Sequence, residues 1–344
     1  AAVLGVIGAG GLGYEILLSL QSLRYEQLWT GFYALVVLNG GVDAGSAWLR
    51  RRLGLMSRLD LNARRSPQAS TVSLAQPSPW LLRIALLAIA VVIPLCFWSL
   101  GITWSQIWAE RAQRLLAEVI QAAVPSGFTL AAAIALLNLS LVTVAMAIVA
   151  MVLAGIAGIG FSFLAAQNIC LPGGLLQPQG RGPFLRGLWL LSRLLLLFSR
   201  AIPAPIWALV CLFVLFPGIL PGALALAIHN FGILGRLMAE VNENLDERPV
   251  RALRSLGASG PQMIAYGILP QNLSRFLAYI LYRWEVCTRE TVIVGLVGAG
   301  GLGRLLTEQI SSFDYGGVTL TLAAFVVLTF AVDMVSHRLR STLR

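Results

Sequence analysis

Four ionisable residues, Arg283, Glu285, Arg289 and Glu290, stand in a stretch that is otherwise apolar, and that stretch runs into Gly298, Gly300, Gly301 and Gly303. Ionisable groups inside an apolar span are costly and are functional candidates by default. Glycines allow a span to break, and a broken helix end can aim backbone N–H groups at an anion. Together these residues offer a path for a small anion. The competing reading is that Arg283 with Glu285, and Arg289 with Glu290, neutralise each other near an interface. No catalytic constellation stands beside them: neither His229 nor His337 pairs with a nucleophile, and the two lie too far apart for a metal site. Cys96, Cys170, Cys211 and Cys287 are scattered, with no metal-ligand spacing and no disulfide framework.

The glycine run also satisfies the dinucleotide pattern G-x-G-x-x-G. That pattern requires a preceding strand, a following helix and an acidic residue about twenty positions on. Here the glycines end one apolar run and precede another, so they read either as close helix packing or as a break where backbone lines a cavity. The same run opens the chain, as VLGVIGAGGLG from Val3 to Gly13. Gly8, Gly10, Gly11 and Gly13 fall on Gly298, Gly300, Gly301 and Gly303 at one offset, 298 − 8 = 290. Tyr25 then meets Tyr315, Asp43 meets Asp333, and Arg50 meets Arg340 without a gap. This is an internal repeat.

The elements that must position these residues are membrane helices. The chain has 344 residues, 58% hydrophobic and 12% charged, with a mean hydropathy of +0.80. Soluble domains carry about 25% charged residues. The fold class is all-α, a polytopic membrane protein embedded in the lipid bilayer. The net charge of +10 comes from arginines clustered between apolar spans, a topology signal and not a nucleic-acid surface. In order, residues 1–16 end one membrane helix and Phe32–Leu49 forms a second. A basic, Ser/Pro-rich linker fills residues 54–80. The main unit, residues 81–344, then carries six spans: Leu81–Leu100, Phe128–Ala166, Leu185–Phe216 with kinks at Pro203 and Pro205, Ala223–Met238, Phe276–Gly303 and Val318–Val335. Trp104–Val124 reads as an amphipathic helix on the outer surface, and Arg304–Tyr315 as an outer loop. The arginine-rich loops all fall on one side, which places the C-terminus in the cytoplasm. The chain opens inside an apolar segment, so residue 1 need not be the natural start.

One long polar stretch interrupts the main unit, residues 240–271. From Arg248 to Gln271 it reads RPVRALRSLGASGPQMIAYGILPQ. A charged helix, a glycine turn, a second short helix and a Leu-Pro opening a span have the shape of a docking lever, in which Arg251, Arg254 and the nearby acids can meet a charged groove. The alternative is an ordinary solvated loop.

This segment resembles the coupling motif of ABC importer permeases, in which Glu-Ala-Ala is followed by a glycine and later by Leu-Pro. The resemblance assigns the contact with the ATPase to Arg251, Ala252, Arg254, Gly257, Ala258, Leu269 and Pro270, with Arg251 standing where the family has glutamate. Longer matches are similar to the phosphonate-type permeases: Arg200-Ala201-Ile202-Pro203 with Ile206–Leu209, Leu226–His229 with Gly232–Gly235, and Leu281–Glu285 through Arg289 to the Gly298–Gly303 run. The resemblance covers Leu81 to Arg344, while residues 1–53 resemble only the tail of a partial first permease copy. It implies a type I importer permease bundle (MetI-like) in a bacterial inner membrane. It further implies a second permease half, ABC ATP-binding subunits that use ATP and Mg, and an extracytoplasmic substrate-binding protein delivering phosphonate, phosphite or a similar oxyanion. The sequence has no G-x-x-x-x-G-K-[ST], so the chain is expected to bind no nucleotide or other cofactor itself and not to be an enzyme. A permease for another small solute such as methionine, or an ATP-independent channel or carrier, are the alternatives.

Overall fold

The structure, a computed structural model, describes residues 10–52, 79–99, 101, 105, 108–121, 129–171, 174–175 and 182–342. Gly8, the linker residues 54–78, Trp104 and Arg181 lie outside these. The described residues form helices and turns, with no strand among them. The helices are α1 (Leu12–Gln21), α2 (Tyr25–Arg52), α3 (Pro79–Ser99), α4 (Glu110–Gln121), α5 (Leu130–Ala165), α6 (Gln167–Cys170) and α7 (Gly182–Ala201). They continue as α8 (Ala204–Leu215), α9 (Ile219–Glu243), α10 (Arg248–Ser255), α11 (Leu269–Val294), α12 (Gly301–Ser311) and α13 (Tyr315–Thr342). Wide π turns lead into α11 at Met263–Ile268 and out of it at Gly295–Ala299.

The chain divides into two compact units, Ala1–Val37 with Pro125–Arg344, and Leu38–Val124. In the smaller unit, α3 is apolar with Pro94 inside it, and α4 is amphipathic, pairing Arg114 with Glu110 and exposing Leu115, Leu116 and Ile120.

The larger unit holds the membrane bundle. Helices α5, α9 and α13 are each long and apolar enough to cross a bilayer. Two bent pairs supply up to two more spans: α7 with α8, bent by 93°, and Gly260–Ala299 with α12, bent by 57°. These fall on five of the six spans expected for the main unit, and the sixth, Leu81–Leu100, is the apolar helix α3. The expected span Phe32–Leu49 lies in α2, which is long enough but is not among the helices apolar enough to count. The expected loop Arg304–Tyr315 is instead mostly helix, because the chain breaks at the glycines and restarts at Gly301.

The core is a close pairing of α5 with α9, onto which α11 packs. Met146, Ala147, Ala150, Met151 and Ala154 of α5 meet Ala223, Leu226, Leu234 and Met238 of α9, with Phe276, Cys287 and Val294 of α11 closing the cluster. Small residues let the backbones approach, as membrane packing favours: a Cβ on Gly158 would lie 3.3 Å from the Gly235 nitrogen, and one on Gly232 only 2.6 Å from the Arg200 nitrogen.

The break before α12 needs glycine for two separate reasons. Gly298, Gly300 and Gly301 hold φ of 106°, 93° and 68°, a region that side-chain-bearing residues disfavour. Gly295 and Gly303 instead touch across the bend, where a Cβ on Gly295 would sit 2.7 Å from the Gly303 Cα. Close packing is therefore realised at Gly295 and Gly303, and a break of the helix at Gly298, Gly300 and Gly301. Gly303→Val should destabilise the detergent-solubilised protein by about 1–3 kcal/mol through overpacking. Gly160→Ala, which meets nothing within 4 Å, should not lower the thermal midpoint in the same assay.

Candidate functional site

The polar segment forms a knob at one end of the bundle. Pro249 starts α10, where its missing N–H costs nothing. Gly257, at φ 83°, ends it: the Gly257 N–H donates to Arg254 O at 3.0 Å and the Ala258 N–H to Leu253 O at 3.1 Å, a Schellman pair. A capping box between Ser259 and Gln262 then opens the next helix. The underside of the knob is apolar, with Val250 and Leu253 of α10 resting on Ile169, Cys170, Met263 and Ile268. Burial pushes the Cys170 thiol up from its ordinary value. The outer side is a shallow hollow lined by Leu253, Leu256, Gly257, Ala258, Gln262 and Tyr266. Leu256 is 84% exposed and Tyr266 75% exposed, an apolar tip held out by a rigid base. Arg251 pairs with Glu247 one turn back and is itself mostly exposed.

Beneath the knob a polar truss ties four spans together. Arg193 of α7 pairs with Glu243 at the end of α9 and donates from Nε to Ala165 O, at the end of α5, at 3.0 Å. Glu243 also accepts from the Gln167 N–H at 2.9 Å. Asn242 is the buried node. It donates to Ser162 Oγ at 3.0 Å and accepts from Asn272 Nδ2 at 2.9 Å, and its backbone carbonyl accepts from Asn168 at 2.8 Å. Of this truss, Asn242 and Glu243 fall in the polar stretch 240–271 read from the sequence. A single polar residue in an apolar span was the available signal for Ser162, and Asn272 carried none.

Deeper in the bundle the four ionisable residues of α11 pair otherwise than neighbours would. Arg283 and Glu290 lie two helical turns apart on one face, 3.0 Å between Nη2 and Oε1. Buried Asn230 of α9 joins them, accepting from Arg283 Nε at 2.8 Å. Arg289 pairs with Glu285 and with Asp333 of α13, each at 2.9 Å, and Arg340 reaches Glu285 at 3.1 Å. The expected pairs, Arg283 with Glu285 and Arg289 with Glu290, are thus corrected to Arg283 with Glu290 and Arg289 with Glu285, because residues one or two apart on a helix point to different sides. Each group has as many carboxylates as guanidiniums. A carboxylate already holds each of Arg283 and Arg289, so an oxyanion that engages either guanidinium competes with it. The glycines lie beyond this pairing, at the α11–α12 bend, where the Leu302 N–H is taken by Thr143 Oγ1 at 3.1 Å. The structure gathers Arg251, Ala252, Arg254, Gly257 and Ala258 in the knob, and puts Leu269 and Pro270 at the start of α11.

The 93° bend between α7 and α8 has its own repair. Proline at the break frees carbonyls, and Trp207 Nε1 donates to Ser199 O at 3.1 Å while His229 Nδ1 donates to Ile202 O at 2.9 Å.

This architecture has known counterparts. The family model of the binding-protein-dependent transport system inner membrane component matches residues 179–344. The phosphite transport system permease protein PtxC of Stutzerimonas stutzeri is 33% identical over 58% of this chain and 67% of its own length. The chain belongs to this permease family. As a permease it also aligns along its whole length, at 28% identity, with 59% of the phosphate-import permease protein PhnE of Mycolicibacterium smegmatis. It spans about two thirds of the length of the phosphite relatives it matches. In fold it is similar to a chain of the MetNI methionine ABC transporter in an inward-facing conformation, with a TM-score of 0.51 at 17% identity, over 63% of this permease and all of that chain.

The Arg283–Glu290 pair generates a test. Glu290→Gln should lower the thermal stability of the solubilised permease by about 1–3 kcal/mol, since it leaves a largely buried guanidinium short of its partner. Arg283→Met combined with Glu290→Gln should recover most of that loss.

Proposed function

We propose that this permease is the membrane-spanning subunit of an ATP-driven importer, and that its cargo is phosphonate, phosphite or a similar small phosphorus oxyanion. The observation that carries the mechanism is the knob: an exposed Leu256–Tyr266 tip on a base braced through Asn242, Glu243 and Arg193 to α5, α7, α9 and α11. A force on such a tip is delivered to four spans at once. In this reading two ATP-binding subunits, which use ATP and Mg, dock on the knobs of two permease halves. Arg251, Ala252, Arg254, Gly257 and Ala258 meet the ATPase, and Leu269-Pro270 passes its motion into α11. The knob and the C-terminus face the cytoplasm of a bacterial cell. A substrate-binding protein delivers cargo on the other side.

The cargo reading is supported by relatives named for phosphite and for phosphate import. The neutral pairs along α11 fit passage without a tight site. When the bundle changes conformation, Arg283 and Arg289 can exchange a carboxylate for a passing oxyanion, and the Gly298–Gly303 bend supplies the flexible end of that path. The exposed guanidinium of Arg251, where the family motif has glutamate, calls for an acidic contact on the docking ATPase.

Co-expression of the full chain with its ATP-binding subunit tests this. The two should co-purify, and Leu256→Asp with Tyr266→Asp should abolish the association without lowering the permease's thermal midpoint. In proteoliposomes, ATP hydrolysis should rise several-fold with a phosphite- or phosphonate-loaded binding protein and not with a methionine-loaded one. Association unaffected by the double variant, or equal stimulation by methionine, would overturn the reading.

A further inference from the structure

The repeated element folds twice in the same way. Helix α2 begins at Tyr25 and α13 at Tyr315, and both run for 28 residues. Leu23 and Phe313, in the turns before them, both hold φ 57°. The Ser22 N–H donates to Leu18 O at 2.9 Å, and the Ser312 N–H to Glu308 O at 3.0 Å; Arg24 and Asp314 repeat the next bond, at 2.8 and 2.9 Å. These are two copies of one helical hairpin, and they differ in what covers them.

In the first copy Ile16, Leu20, Leu28, Phe32 and Leu35 are buried against the proline-broken α7–α8 bend, on Ile202, Ile206 and Trp207. Two of the equivalent positions of the second copy face outward, while Leu306, the equivalent of Ile16, stays buried and Val318 and Phe325 are half-buried: Leu20 is 3% exposed and its equivalent Ile310 53%, Phe32 is 3% and its equivalent Leu322 45%. The relation inverts on the other face. Leu302 is 1% exposed, and a Cβ on neighbouring Gly301 would meet Thr143 of α5 at 2.7 Å, whereas the equivalent Leu12 is 39% exposed. Each hairpin therefore has two apolar faces, and each copy shows a different one covered.

From this complementarity we infer that the outward face of α12–α13, centred on Ile310 and Leu322, seats the proline-broken bend of a second permease half, the half to which the 10–37 hairpin itself belongs. The interface is isologous in form: each half lends its closing hairpin to the other's bend. A second copy of this chain is a poorer occupant, because its own bend is already covered by its own α1–α2. The inference deepens the permease reading, which requires a second half.

The test places a photoreactive benzoylphenylalanine at Leu322, and separately at Ile310, in the full chain expressed in its native membranes, and maps the cross-linked peptides by mass spectrometry. The expected product joins Leu322 to a permease segment other than residues 182–215 of this chain that carries the same proline-broken bend. Ile310→Asp should reduce that product at least tenfold, while Phe330→Asp, on another exposed stretch of α13, should not. Cross-links to lipid alone, or to residues 202–207 of a second copy of this chain, would overturn the inference. No ATPase enters the experiment, so a failure of the lever to dock and a failure of this interface give separate results.

Discussion

A peptide group freed inside hydrocarbon has no water to turn to, and this permease breaks two of its spans. The structure follows from how those breaks are repaired. At Pro203 the repair comes from side chains: Trp207 reaches back to Ser199 and His229 crosses from α9 to Ile202. At the glycines it comes from a side chain of another span, with the Thr143 hydroxyl of α5 accepting from the Leu302 N–H of the restarted helix. Each repair recruits a neighbouring span, so the positions of α5 and α9 are fixed by the breaks as much as by their own apolar stripes. A bend that needs a partner's hydrogen bond cannot form until that partner is packed beside it.

The same constraint separates the knob from a solvated loop. Its helices are individually short, too short to be stable alone. They persist because Val250, Met263 and Ile268 are buried beneath them, and because Asn242 and Glu243 bind the ends of α5, α9 and α11 together. In such a network removal of one member leaves others buried and unsatisfied, which makes it stiff. Stiffness between the tip and four spans is what a lever requires, and a flexible loop at the same place would dissipate the displacement in its own backbone.

The sequence made the spans legible through hydropathy, the repeat through a constant offset of glycine, tyrosine, aspartate and arginine, and the knob through its Pro and Gly punctuation. Local chemistry suffices for each. The pairing of charges was half legible: Glu285 with Arg289 is an i,i+4 pair on one helix, but Asp333 and Arg340 come from α13 and Asn230 from α9, and nothing in the spacing along α11 names them. The truss was less legible still, since Ser162, Asn242 and Asn272 stand in separate helices and become a unit only when the helices meet. The extent of α12 was missed because glycines read as the end of a span, while the geometry uses them as a joint between two helices.

The two hairpin copies show where local coding stops. Their turns agree, bond for bond, because Gly10 and Gly300, Ser22 and Ser312, and the residues at φ 57° carry the conformation within a few residues of themselves. Their burial disagrees, because which face is covered depends on where each hairpin sits in the bundle. A hydrophobic residue facing lipid and one facing a partner look the same in sequence and share the same solubility cost. A fold that repeats its own element supplies the missing information, since the covered copy displays the surface that the uncovered copy is shaped to meet. The α7–α8 bend thereby acquires a second duty. It is the joint that turns one span, and in the proposed assembly it is also the surface on which a neighbouring half closes, which would couple the geometry inside each half to the contact between them.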